Sequence, residues 1–340
     1  LHLIIILLQY MNGKSLPESR NNTVSPNDML NFGKQTVKFV LSVIFSGFIL
    51  YLILNEFNEI ATLSGDAIHQ DELFSEKVPK QGVERSGNDI LNNTGKYFKW
   101  LCGFITGDYG KSPNSEKIIV FSVSDLANKA DKIEIWPNYF HTISITLLAI
   151  TIAFIISFVL NTLEIVRQTK KLEWIKTILN WLSSVHIIIL GIILFLFFRD
   201  QIPVIAGIIM IAICSNAFYD LSALQANDLS TLYNKDFVIA ARAWGDNIWK
   251  HMRRSLAIDG INQFSSVWII IFTNTLIYEI ICQKPGLGFL LFLHFLDSER
   301  GKLLFELDLF MTLTMFIIIT IFMINYIKDI TLDYLLYKRR

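Results

Sequence analysis

Six stretches of about twenty mostly apolar residues, each long enough to cross a bilayer, constrain this chain more than any other feature. They fall at 37–54, 140–160, 178–198, 203–222, 261–281 and 309–327. Inside lipid a backbone N–H or C=O has no water to bond, so a spanning segment must satisfy its own hydrogen bonds as a helix. The expected fold is an all-α integral membrane protein with six transmembrane helices. Composition agrees: 52% of the 340 residues are hydrophobic and the mean hydropathy is +0.44. The net charge is zero and names no partner. The three cysteines (Cys102, Cys214, Cys282) lie far apart, without metal-ligand spacing or a disulfide pattern. Residues 1–8 are apolar but too short to span, and they lack the basic start and small-residue cleavage site of a signal peptide. They are expected to be a tail, with Met11 or Met29 as alternative starts.

Lysine and arginine accumulate on the cytoplasmic side of a membrane protein. Lys14, Arg20, Lys34 and Lys38 precede the first span; Arg167, Lys170, Lys171 and Lys176 separate the second from the third. Lys235, Arg242, Lys250, Arg253 and Arg254 separate the fourth from the fifth, and Lys328, Lys338, Arg339 and Arg340 follow the sixth. The alternate connections carry only Arg199, and then Lys284, Arg300 and Lys302. Both termini are therefore expected inside. The chain divides into a cytoplasmic tail (1–36), the first span (37–54), an extracellular insert (55–137) and a five-helix core (138–340) with a cytoplasmic loop at 223–260. The first half of the insert is acidic and loose in composition. The second half, with Tyr97, Phe98, Trp100 and Gly107-Asp-Tyr-Gly110, is expected to be ordered against the membrane surface.

The cytoplasmic loop holds a polar island, Asp236-Phe-Val-Ile-Ala-Ala-Arg-Ala-Trp-Gly245. It reads as a short helix capped by Asn234 or Asp236 and ended by Gly245, which accepts the left-handed conformation. Ala240, Ala241 and Ala243 would let a partner's backbone approach closely, and Arg242 offers a forked donor. An ordinary basic loop lying on anionic lipid explains the same charges.

This segment resembles the cytoplasmic coupling loop of ABC importer permeases, most closely the dipeptide, oligopeptide and nickel branch, where the loop reads Asp-Tyr-Val-x-x-Ala-Arg-Ala-Lys-Gly. Tyr97-x-x-Trp100-Leu101 followed by Gly107, Asp108, Gly110 and Ser112 is similar to that branch's extracellular motif. Glu279 followed by Pro285, Gly286 and Gly288 is similar to its Glu-x-x-Phe-x-x-Pro-Gly-Leu-Gly segment. Trp244 stands where the family has lysine, and Ala257-Ile-Asp-Gly260 where a proline is common, so the chain resembles a divergent member. The resemblance implies a non-enzymatic permease subunit of a bacterial cell-membrane importer for peptides or a similar small solute. It implies a second permease subunit, two cytoplasmic ATPases and an extracellular binding protein as partners. ATP and magnesium belong to the ATPases, and no cofactor is expected on this chain.

Gly107-Asp-Tyr-Gly-Lys-Ser112 mimics the end of a phosphate-binding loop, but Ile105 stands where that pattern needs its first glycine. Polar residues inside spans are candidates by default: His186, Asn216, Asp220, Asn274 and Asn325. Interhelical bonding is the expected role of His186, and capping the Pro285–Gly288 turn that of Glu279. The substrate-binding residues are not legible. No nucleophile–base pair, metal cluster or nucleic-acid stripe appears. A secondary transporter would need internal repeats and broken helices, and no Gly- or Pro-interrupted pair of spans is visible. A membrane-anchored receptor using 55–137 is the third alternative.

Overall fold

A computed structural model describes residues 26–70, 88–109, 118–120, 132–168, 173–198, 203–295 and 307–337. Gly110 and Ser112 of the Gly107–Ser112 motif lie outside them, as do residues 1–25. Helix α1 (Pro26–Gln70) starts on a proline, whose missing N–H costs nothing in a first turn. It pairs along its length with the last helix, α11 (Leu307–Tyr337). Gln35 donates to Asp333 at 2.6 Å, and the Thr36 and Tyr326 hydroxyls lie 2.9 Å apart. The helix runs sixteen residues past the expected end of the first span, so 55–70 is helical rather than loose. No proline interrupts that stretch, and Gly65 alone does not stop a helix.

Helix α2 (Asn88–Thr106) packs across α1 and α11 through Tyr97, Leu101, Tyr51, Leu54, Met311 and Met315. The Tyr97 hydroxyl donates to the Ile44 carbonyl at 2.9 Å, and burial pushes its pKa up to about 12, so it stays a neutral donor. Two short parallel strands, β1 (Ile118–Val120) and β2 (Lys132–Glu134), accompany the helices, and the described residues remain mostly helical, in keeping with the all-α expectation. Ile119, Ile133 and Ile135 bury against Leu287, Leu290, Leu309 and Leu313, which fixes the second half of the insert to one end of the bundle.

The core surrounds α3 (Trp136–Ile165) and α9 (Ile248–Ile281). Along α3 the buried Ala149, Ala153, Ser157 and Asn161 recur every fourth residue. This small-residue ridge lets α7 (Ala217–Tyr233) and α9 approach closely, the packing that drives helix association in lipid. Asn161 donates to the Ser222 carbonyl at 3.0 Å, and Ser265 donates to Asn325 at 2.6 Å. Such bonds contribute about 0.6 kcal/mol each in membrane proteins, so shape complementarity carries most of the stability.

Among the described residues, α1, α3, α9 and α11 each hold a segment long and apolar enough to cross a membrane, and up to six spans exist if each bent pair counts as one. The chain is a multi-pass membrane protein. The third and fourth expected spans are not continuous. Residues 173–198 break into α4 (Glu173–Ser183) and α5 (Ile187–Phe198), bent by 92°. Residues 204–233 break into α6 (Val204–Ile213) and α7, bent by 56°. At 1.5 Å per residue α5 is about 18 Å long, short of the ~30 Å hydrocarbon thickness. Helix α4 exposes Trp174, Ile178, Trp181 and Leu182 along an apolar and aromatic side. The last two helices of the core are α8 (Asp236–Ala243), between α7 and α9, and α10 (Leu287–Phe295), after α9.

Candidate functional site

Three places in the bundle hold the residues singled out by sequence. The first is α8, at the end of the bundle where α7 and α9 meet. Residues 223–260 comprise the last turns of α7, the short α8, and the first three turns of α9. Lys235 occupies the N-cap with no side-chain bond, so neither Asn234 nor Asp236 caps α8. The C-terminus closes as expected for a glycine stop. Gly245 has φ +71°, its N–H bonds to the Arg242 carbonyl at 3.1 Å, and the Asp246 N–H bonds to the Ala241 carbonyl at 2.9 Å. Asn247 then caps α9 by accepting from the Trp249 N–H.

The faces of α8 differ from the sequence expectation. Ala241 is only 4% exposed and Val238 is fully buried, with Val238 packed beside Leu229, Leu232 and Met252. Ala241 therefore holds α8 to its own chain and is not open to a partner. The guanidinium of Arg242 stacks 4.2 Å from the centre of the Tyr233 ring. The outward side consists of Asp236, Phe237, Ile239, Ala243 and Trp244, which is 85% exposed, with Ala240 partly covered. Beyond the helix, hydrogen bonds from His251 and the Asn247 N–H hold the Asp246 carboxylate below its usual pKa.

The second place is the turn at the opposite end of α9. Glu279 is fully buried. One carboxylate oxygen accepts from the Thr142 hydroxyl at 2.7 Å, the other from the Gly288 N–H at 2.9 Å. Thr142 in turn accepts from the Leu287 N–H at 2.9 Å. A single carboxylate thus ties α3, α9 and the start of α10 together. Glycine is required by contact: a Cβ on Gly286 would strike the Glu279 carboxylate, and one on Gly288 the Leu276 carbonyl.

The third place carries the candidates His186, Asn216 and Asn274, but the helix breaks that bring them together went unseen in the sequence. The break between α4 and α5 docks on the break between α6 and α7. The Ser215 N–H donates to the Val185 carbonyl at 3.1 Å and the Asn216 N–H to the Ser183 carbonyl at 2.7 Å. Asn274 of α9 donates to the Ile211 and Cys214 carbonyls at 3.4 and 3.2 Å. Ser215 and Asn216 take positive φ. Glycine and proline are absent from both breaks, which is why the expected signal was missing; serine and asparagine side chains capture freed backbone groups instead. His186 is exposed, and its ring accepts from the Ile188 N–H at 3.3 Å, capping α5 rather than bridging helices. Asp220 makes no ion pair among the described residues. Replacing Asn274 with leucine is expected to remove the donor to the buried Ile211 carbonyl, while the Cys214 carbonyl keeps the Ala217 N–H, and to cost about 1–3 kcal/mol. Thermal unfolding of the purified protein measures this, and an unchanged midpoint rejects it.

In the Gly107–Ser112 motif, Gly107 and Asp108 end α2. The Asp108 N–H bonds to the Gly103 carbonyl at 2.9 Å and the Gly107 N–H to Phe104 at 3.3 Å. The structure thus brings Glu279, Pro285, Gly286 and Gly288 together, keeps the α8 residues in one helix, and leaves Gly107 and Asp108 in a separate cap. Thr142 and Asn161, central to two of the buried networks, carried no local signal beyond their place in an apolar run. A scan against protein-family models finds none that matches, and no curated protein is matched either.

Proposed function

We propose that this chain is a membrane-spanning subunit of an ATP-driven importer, coupled through α8 to a cytoplasmic ATPase. The observation that carries the reading is α8 itself. It is a short helix anchored by Val238 and Ala241, stopped at Gly245, and left with an outward face of Phe237, Ile239 and Trp244 at one end of an apolar bundle. An exposed cluster of large apolar side chains outside the lipid-facing surface marks a protein contact. The resemblance of Asp236–Gly245 to the coupling loop of ABC permeases supplies the partner's class. In this reading both termini and 223–260 are cytoplasmic, 55–137 is extracellular, and the membrane is a bacterial cell membrane. A second permease subunit completes the pathway, and a binding protein delivers a peptide or similar small solute. ATP closes the two ATPases, α8 moves with them, and the pathway changes the side to which it opens.

Two experiments test this. Phe237→Asp places a charge on the outward face without touching the buried one. It is expected to abolish copurification of the ATPase and ATP-driven uptake while leaving thermal unfolding unchanged. Ala241→Asp, by contrast, is expected to destabilise the chain itself, because it buries a charge under α8. Normal uptake by Phe237→Asp rejects the coupling role. For topology, a cysteine at the exposed Lys250, in a background without native thiols, is expected to resist an impermeant reagent applied to intact cells. Labelling from outside overturns the orientation.

The docked helix breaks favour a second reading, an ion-coupled transporter, since such proteins bind ions at discontinuous helices. The ATP-driven reading is preferred because the freed backbone groups at this crossing bond to each other, to Ser183, to Ser215 and to Asn274. Uptake into vesicles driven by an ion gradient without ATP selects the second reading.

A further inference from the structure

A cavity of ≈ 270 Å³ opens between α3, α7 and α9, beside the last turns of α7 and the first half of α9. Its polar wall is formed by Gln225, Asp228, Asp259 and Gln263. Asp228 accepts from the Gln263 amide at 2.7 Å and, on its other oxygen, from the Asn227 amide at a longer 3.4 Å. Asp259 lines the same space, close enough to feel the charge of Asp228. Gln225 is 6% exposed, and its amide oxygen is buried with no hydrogen-bond partner. Among the described residues neither aspartate makes an ion pair; the positive charge that reaches Asp259 is that of Lys235, beyond ion-pair distance. Two carboxylates that face one space without an ion-pair partner favour a cation in it. The opposite wall is apolar, with Phe154 and Phe158.

We propose that this cavity binds the ammonium head of a small organic cation, with Asp228 and Asp259 facing the charge, Gln225 supplying a further acceptor, and Phe154 and Phe158 covering the apolar body. Volume selects an organic cation over a bare ion. The space holds roughly nine water-sized groups at ~30 Å³ each. No group of three or more His, Cys, Asp or Glu side chains is placed to hold a metal ion among the described residues. The site is built from this chain's own residues and stands whether or not α8 docks an ATPase.

The test is thermal unfolding of the full-length protein in lipid nanodiscs, titrated with n-butylammonium chloride. Neutral 1-butanol and sodium chloride at equal ionic strength are the controls. A ligand that binds only the folded state raises the midpoint in a saturable way. Butylammonium is expected to do so, and neither control is. Asp228→Asn and Asp259→Asn each remove a charge-assisted contact and are expected to weaken apparent affinity roughly tenfold or more. Lys235→Gln removes the competing cation and is expected to strengthen it. Gly260→Phe fills the cavity from α9, where a Cβ meets nothing within 4 Å, and is expected to remove the response with both carboxylates intact. A saturable rise with sodium chloride overturns the organic assignment. A wild-type response in the Asp228→Asn/Asp259→Asn protein overturns the site. If that double variant does not fold, a wild-type response in Gly260→Phe does the same.

Discussion

Gly288→Ala is expected to lower the stability of the folded protein by about 3 kcal/mol or more, the upper end for overpacked sites. The added methyl meets the carbonyl of Leu276, and the atoms behind it are backbone inside α9. A side chain can rotate away from such a contact; a helical carbonyl cannot do so without breaking the helix. The same shift would pull the Gly288 N–H from Glu279 and open the junction with α10. Gly95→Ala is the matched control. It lies inside α2 with nothing within 4 Å of the new Cβ, so it is expected to stabilise by up to about 1 kcal/mol. Thermal unfolding read by a thiol-reactive dye suits both variants once the exposed Cys102 is replaced by serine, since Cys214 and Cys282 are buried until the bundle opens. Equal midpoints for Gly288→Ala and the native protein would falsify the close contact.

Glu279→Ala and Glu279→Gln are expected to differ by about 2–4 kcal/mol, with alanine the worse. Alanine leaves the Gly288 N–H buried without an acceptor and a void where the carboxylate stood. Glutamine fits because Thr142 has a choice. Its hydroxyl lies 2.7 Å from Glu279 and 3.0 Å from the Asn138 carbonyl, and its single proton serves either. With glutamine present, Thr142 donates to Asn138 and accepts from the new amide, while the amide oxygen keeps the Gly288 N–H. Unfolding midpoints compare the two variants, and equal loss in both refutes the exchange. Uptake adds an independent check. A large rise in half-saturation for Glu279→Gln, with maximal rate and assembly intact, would move Glu279 from turn support to ligand contact.

The sequence by itself determined the membrane-spanning class and the strongest helices, because an apolar run of sufficient length has one low-energy arrangement in lipid. It determined local stops too. Gly245 ends α8 and Gly107 ends α2 for reasons contained in a few neighbouring residues. The partnership of Glu279 with the Pro-Gly-Leu-Gly turn lay within reach because its members are less than ten positions apart, but Thr142 is 137 residues away and had no such signal. Tertiary structure alone decided the broken helices. An apolar run reads the same whether it is straight or bent, and the bends persist because two breaks and Asn274 satisfy one another's backbone groups. It also decided which way α8 faces. Three alanines look equivalent in sequence, yet packing against Leu229, Leu232 and Met252 turns one side inward and leaves Phe237 and Trp244 outside. The pairing of Asp228 with Asp259 across a cavity belongs to the same class. Each is an ordinary polar residue near a helix end in the sequence, and only the meeting of α7 with α9 sets both charges on one wall.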